Sequence, residues 1–195
     1  MLKKNLVKDY WNKRSASQGK ATVGYGGHNL KQQDLEYEQK IHFVSSNVAI
    51  DEGVTLDYGC GVGRFAKVFK SYVGSDITEN LLNIAKDEHP NLTFIRVESP
   101  FEIPEIEFDR FFTSTVLQHN DDDSIHQLFK ELSKTDVKEI VLYENTEAKA
   151  PHCVGRTSKD YLDIIIKYLS VSLASSVSHT VHGQKHTLSV FKVSK

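Results

Sequence analysis

Val54-Thr55-Leu56-Asp57-Tyr58-Gly59-Cys60-Gly61-Val62-Gly63-Arg64 reads as a buried strand that ends in three alternate glycines and runs into a helix. Asp57 puts a carboxylate at the strand's tip. Gly59, Gly61 and Gly63 let the backbone turn sharply and approach a ligand closely. The combination marks a site for a nucleoside-bearing cofactor, and its details decide which one. A dinucleotide fingerprint, G-x-G-x-x-G, needs its third glycine at position 64, where Arg64 stands. Asp57 would also repel a pyrophosphate, and the Gly-Lys-Ser/Thr of a phosphate-cradling loop is absent.

S-adenosylmethionine carries no phosphate. It offers an ammonium, a carboxylate, a sulfonium and a ribose diol. A carboxylate beside the loop suits the cationic methionine end. A second should accept the ribose hydroxyls, because an ionised Asp is acceptor-only. Asp76 stands 76 − 57 = 19 residues after Asp57, close to the spacing of about 20 residues at which dinucleotide folds place a ribose ligand. Taken singly, Asp57 reads equally as a residue capping the following turn, and Asp76 as a helix cap before Thr78.

Outward from the loop the pattern alternates. Strands are expected at 54–58, 72–76, 92–97, 108–115 and 139–143, with helices at 64–70, 79–87, 122–133 and 159–169. Thr78 and Ser158 are the expected caps. Two closing strands, 171–176 and 187–193, are joined through Gly183 without a helix, so they should pair antiparallel. Upstream, helices are expected over 2–17 (Leu2, Leu6 and Tyr10 four apart) and 32–48 (Leu35, Ile41, Val44 and Val48 on one face), flanking a glycine-rich breaker. The prediction is an α/β, Rossmann-like fold with a mostly parallel seven-stranded sheet, an antiparallel last strand and helices on both faces. One domain spans 1–195, with 1–50 as a helical N-terminal lid and 51–195 as the core.

The 195 residues carry a net charge of −2, which argues against a nucleic-acid partner. Cys60 and Cys153 sit in neither a disulfide framework nor a zinc pattern. Met1-Leu2-Lys3-Lys4 lacks an apolar stretch behind it, so no signal peptide is expected, nor a membrane span, and a cytoplasmic location fits.

Leu56 to Arg64 with Asp76-Ile77-Thr78, followed by Phe108-Asp109-Arg110-Phe111-Phe112 and Val116-Leu117-Gln118-His119, resembles the class I S-adenosylmethionine-dependent methyltransferases over roughly Tyr10 to Asn145. The resemblance implies S-adenosylmethionine as cofactor and S-adenosylhomocysteine as product. It implies that Gly59, Cys60, Gly61 and Gly63 approach the methionine moiety, that Asp76, Ile77 and Thr78 serve the ribose, and that Glu98 and Ser99 flank the adenine. Ser114 and Thr115 would line the sulfonium side, and Arg64 would meet the cofactor carboxylate.

Methyl transfer is an in-line displacement in which positioning supplies much of the rate gain. Where the acceptor must lose a proton, His119 is the candidate base, set against a capping role. Glu144 and Asn145 end a strand at the same edge and are candidates to bind the acceptor. Trp11, with Tyr10 and Tyr25, would bring an aromatic face to the sulfonium, set against ordinary packing. Asp121-Asp122-Asp123 suits a helix start better than a metal, and no metal is expected. His179, His182 and His186 read as a solvated turn or as substrate contacts. The expected acceptor is a small molecule methylated on oxygen or nitrogen, its pocket including Gly155-Arg156-Thr157 and Tyr161. A peptide is the alternative. Tyr10-Trp11, Gly24-Tyr25-Gly26-Gly27-His28, Gly63-Arg64, Asp76-Ile77-Thr78, His119 and Glu144-Asn145 look like protein N-terminal α-amine methyltransferases, whose tryptophan after the fourth strand is here Thr115. A cofactor-binding regulator without turnover is a further alternative.

Overall fold

The computed structural model describes residues 4–23, 29–148, 150 and 152–194. Gly24, Tyr25, Gly26, Gly27 and His28, like Leu2 and the side chain of Leu6, lie outside the described residues. The elements are α1 (Lys4–Gln18), a 3₁₀ turn (Gly19–Val23), α2 (Leu30–Ser45), β1 (Val54–Tyr58), β2 (Ser71–Asp76), α3 (Glu79–Glu88), β3 (Thr93–Arg96), β4 (Arg110–Ser114), a 3₁₀ turn (Leu117–His119), α4 (Asp122–Leu132), β5 (Glu139–Asn145), α5 (Ser158–Ile165), β6 (Val171–Val181) and β7 (Gln184–Val193). One seven-stranded sheet has the order β3-β2-β1-β4-β5-β7-β6. β3, β2, β1, β4 and β5 pair in parallel, and β7 runs antiparallel to both β5 and β6. His182 and Gly183 both hold positive φ in the two-residue hairpin between β6 and β7, the geometry that matches strand twist.

The strands' period of two divides the core between the sheet's faces. Phe112, Val141 and Tyr143 pack with Val44 of α2 and with Leu82 and Ala85 of α3. Phe111, Ile140 and Leu142 pack with Ile125, Leu128 and Phe129 of α4 and with Tyr161 and Ile165 of α5. At the sheet's far edge Arg110 and Glu139 form a buried ion pair at 2.5 Å, which leaves the opposite edge, where the parallel strands end, to the loops.

Three expectations are corrected. Residues 64–70 do not form a helix. They run as successive turns, with Gly63 N–H to Cys60 O, Ala66 N–H to Gly63 O and Val68 N–H to Phe65 O. Gly63 at φ 74° cannot start an α-helix, and only seven residues separate it from β2, too few to offset nucleation. On α2 the buried residues are Gln33, Glu36, Tyr37, Lys40 and Val44, while Leu35 is 53% exposed. The helix turns its polar stripe inward because that stripe borders a cavity. Thr157, not Ser158, caps α5, in a capping box with Asp160. No helix among the described residues is long and apolar enough to cross a membrane.

Candidate active site

The cavity lies where the parallel strands end, roofed by α1 and α2, and has a volume of about 550 Å³, within the range of about 300–1,000 Å³ usual for small-ligand sites. The loop after β1 forms its floor. The N–H groups of Gly59 and Cys60 both donate to Ser75 O. That of Gly61 donates to Asp76 Oδ2 at 2.9 Å, and that of Thr78 to Asp76 Oδ1 at 2.7 Å. Asp76 thus ties the loop to the tip of β2. Gly59 holds φ 74°, and a Cβ there would stand 2.4 Å from Val116. The glycine admits the end of β4 as much as any ligand. Gly63 faces His89 and Phe94 and is absent from the cavity lining.

Asp57 is buried and accepts the Tyr72 hydroxyl at 2.8 Å. Burial pushes its carboxyl up to about 7, the Tyr72 bond pulls it down, and Asp76 pushes it up. Asp76 is likewise raised by burial, against the pull of the Thr78 and Gly61 amides. Arg64 spends Nη1 on Asp34 at 2.8 Å and stacks 4.2 Å from the Tyr37 ring centroid. Its Nε and Nη2 are buried without partners, as are Thr78 Oγ1, Ser114 Oγ and Tyr58 OH. All four residues border the cavity. Orphaned polar atoms converging on one space fit a ligand with a carboxylate and hydroxyls, because buried polar groups are otherwise bonded. That donor set suits S-adenosylmethionine. Thr78 stands at the N-cap of α3 but makes no side-chain capping bond, so the expected cap is corrected. Ile77, Ser99 and Thr115 also line the cavity. Thr115 carries φ 56°, a strained conformation for a β-branched residue of the kind that gathers at functional sites.

Trp11 reaches the cavity from α1 and meets His119 edge-on at 5.0 Å between centroids. His119 stacks on His152 and lies 3.4 Å from Cys153 Sγ through Nδ1. The three offer ligand atoms within 4.8 Å of one another, and the Arg14 cation lowers the proton affinity of both histidines. Burial first, then His152 and Arg14, hold His119 down to about 3. The ring is therefore neutral at neutral pH, with Nε2 3.2 Å from Gln118 Nε2.

The unfolded chain protonates this imidazole near its ordinary 6.5 and the folded protein only near 3. Its contribution is therefore full above that upper value and lost as pH falls through the window. His119→Gln should be less destabilising at pH 4.5 than at pH 7.5 by about 2–3 kcal/mol. Urea unfolding of both proteins at the two pH values checks this, and an equal difference at both would refute it.

Several expected residues are engaged or placed otherwise. Glu144 is buried and accepts the N–H groups of Val116 and Leu117 at 3.1 Å and of Gln118 at 3.3 Å. It holds the turn that carries His119 and does not line the cavity. Burial pushes its carboxyl up to about 7, while the three amides and Arg156 pull it down. Asn145 does border the cavity, yet donates to Gln184 and accepts from Glu147 N–H. Glu98 points outward and pairs with Lys8 and Arg96, because two cations beside it outcompete an apolar wall. Arg156 is spent on Asp122, Leu117 O and Asn120 O. With Thr157 capping and Tyr161 in the core, that segment forms no acceptor pocket. His186, expected in a solvated turn, is 3% exposed and borders the cavity. Glu36, Tyr37, Lys40 and Gln184 also border it and went unread. The i, i+1, i+4 spacing of Glu36, Tyr37 and Lys40 was the signal available.

A family model described as a methyltransferase domain matches residues 55–135. The uncharacterized protein MJ1123 of Methanocaldococcus jannaschii is 33% identical over 86 residues, which cover 44% of this chain and 40% of that protein's length. Among solved structures, magnesium protoporphyrin IX methyltransferase (ChlM) of Synechocystis PCC 6803 with bound SAH superposes with a TM-score of 0.77 at 17% identity, covering 97% of this chain and 99% of that one. A SAM-dependent methyltransferase of Leishmania major gives 0.71 at 16% identity, covering 95% and 81%. At these identities the likeness is one of fold.

Proposed function

We propose that the chain is a class I S-adenosylmethionine-dependent methyltransferase, a reading supported by the methyltransferase-domain match over residues 55–135 and by the shared fold, and that it methylates an oxygen or nitrogen of a small molecule. The observation that carries this is the set of unpartnered buried atoms of Arg64, Thr78 and Ser114, gathered with Asp57 and Asp76 on one cavity of about 550 Å³.

In this reading Asp76 accepts the ribose hydroxyls, Arg64 grips the methionine carboxylate and Asp57 faces the ammonium. Val97 and Ser99 flank the adenine in place of Glu98, and Ser114 and Thr115 line the reacting side. When bound, S-adenosylmethionine supplies a methyl group activated by its sulfonium. The protein's part is to orient the acceptor and exclude water. Trp11 and Val116 supply apolar walls, and the His119 ring, held by Gln118 Nε2 and Cys153 Sγ, stands beside them. A cation beside Trp11 gains attraction from its ring. Helices α1 and α2 act as the cover, fastened by the ion pair Lys8–Glu98 and, in the 3₁₀ turn between them, Lys20–Glu88.

The test is calorimetry with S-adenosylhomocysteine, followed by a screen for S-adenosylhomocysteine formation across small acids, phenols, amines and peptides with free N-termini. Binding together with turnover of a small molecule supports the proposal. Turnover of peptides alone would replace its acceptor, and binding without any turnover would favour a regulator. NAD binding tighter than S-adenosylhomocysteine would overturn it.

A further inference from the structure

Lys40 is 6% exposed, and its side chain borders the cavity. Nζ lies 4.8 Å from the Tyr37 ring centroid. Among the described residues no carboxylate, carbonyl or hydroxyl is within hydrogen-bonding or ion-pairing reach of it. Two acids act on it from a distance, Glu36 and Glu144, and both are engaged elsewhere. Glu36 pairs with His182 at 2.9 Å, and Glu144 holds the three amides of the turn after β4. Desolvation holds the amine down to about 8, with Arg64 acting in the same direction, so it still carries its charge at neutral pH.

A buried ammonium that makes no direct ion pair among the described residues is costly, and Arg64 on the same Tyr37 ring adds repulsion. Arg14, Arg64 and Lys40 all border the cavity; Arg64 pairs with Asp34, whereas Lys40 makes no direct ion pair among the described residues. Arg64 follows β1, at the cofactor loop. Lys40 faces the other way: its charge is felt by His179 on β6 and His186 on β7, beyond the strands that floor the cofactor loop. Asn145, Gln184 and His186 form the wall on that side.

We propose that Lys40 binds an acid group of the methyl acceptor, which makes the acceptor a small organic carboxylate recognised between α2 and the β5–β7 edge. This rests on the methyltransferase reading of the cavity and adds a substrate class to it. The surrounding walls, Trp11, Phe65 and Val116, suit an apolar body behind the carboxylate.

The experiment uses the full chain saturated with S-adenosylhomocysteine and titrated by calorimetry with benzoate, indole-3-acetate and octanoate, each beside its primary amide. At least one carboxylate should bind ten times more tightly than its amide or better. Lys40→Met should erase that preference, and Lys40→Arg should keep it within about threefold. Lys40→Met should bind S-adenosylhomocysteine within about twofold of wild type, whereas Arg64→Met should lose tenfold or more. The proposal fails if no carboxylate is preferred over its amide. It also fails if Lys40→Met weakens S-adenosylhomocysteine as much as Arg64→Met does, because Lys40 is then a cofactor ligand. Wild-type protein that does not bind S-adenosylhomocysteine at all would instead remove the methyltransferase reading. Thermal unfolding of each variant confirms that the comparison is between folded proteins.

Discussion

Replacing Asp76 with alanine should weaken S-adenosylhomocysteine binding by about 30- to 100-fold, about 2–3 kcal/mol. The size follows from the double duty of one carboxylate. Its oxygens take the N–H groups of Gly61 and Thr78, and an ionised carboxylate has about four acceptor positions, so two remain for ligand hydroxyls. Alanine removes those two and also releases the loop from the tip of β2. Asp76→Asn retains the shape and one acceptor oxygen, and should cost only about five- to tenfold. Calorimetry on variants with unchanged thermal midpoints separates lost ligand contacts from lost fold. Unchanged affinity in the alanine variant would take Asp76 out of the site.

How legible the molecule was in its sequence depended on whether a residue's role is local. The strands were readable because β1, β4 and β5 are buried on both faces, and short runs of β-favouring residues, 54–56, 111–113 and 140–143, stand between turns. The antiparallel end followed from the missing crossover between β6 and β7. The loop glycines and Asp76 were readable because their spacing along the chain is their geometry. Side-chain direction was not. Glu98 and Ser99 are adjacent, yet Ser99 lines the cavity and Glu98 meets Lys8, 90 residues away. Glu144 sits where an acceptor ligand was expected, but its partners lie 26–28 residues earlier in the chain. Lys40 was hidden because an inward lysine on an amphipathic helix contradicts the usual period, and only the cavity beside it explains the exception. His119 was expected at this edge and does border the cavity, but its proton affinity is set by burial, which a sequence does not display.

The second large effect belongs to Glu144 and is read in stability. Its carboxylate satisfies three consecutive amides, the buried one of Leu117 and the partly buried ones of Val116 and Gln118. Alanine orphans all three, and a buried donor left unmade costs about 1–3 kcal/mol. Glu144→Ala should therefore lose about 3–5 kcal/mol, a large share of the 5–15 kcal/mol typical of a folded domain. Glu144→Gln keeps one acceptor but turns an NH₂ toward donors, so it should fall between alanine and wild type. The same turn carries His119 and brings Val116 against Gly59. The glutamine variant, which remains folded, should consequently lose turnover by a larger factor than S-adenosylhomocysteine affinity, because Asp76 and Arg64 reach the cavity from the β2 tip and the β1 loop. Denaturant unfolding of all three proteins, with binding measured on those that stay folded, decides the point. A change in stability below about 0.5 kcal/mol for Glu144→Ala would mean that water or the backbone replaces the carboxylate without cost, and that the turn after β4 is held by packing alone.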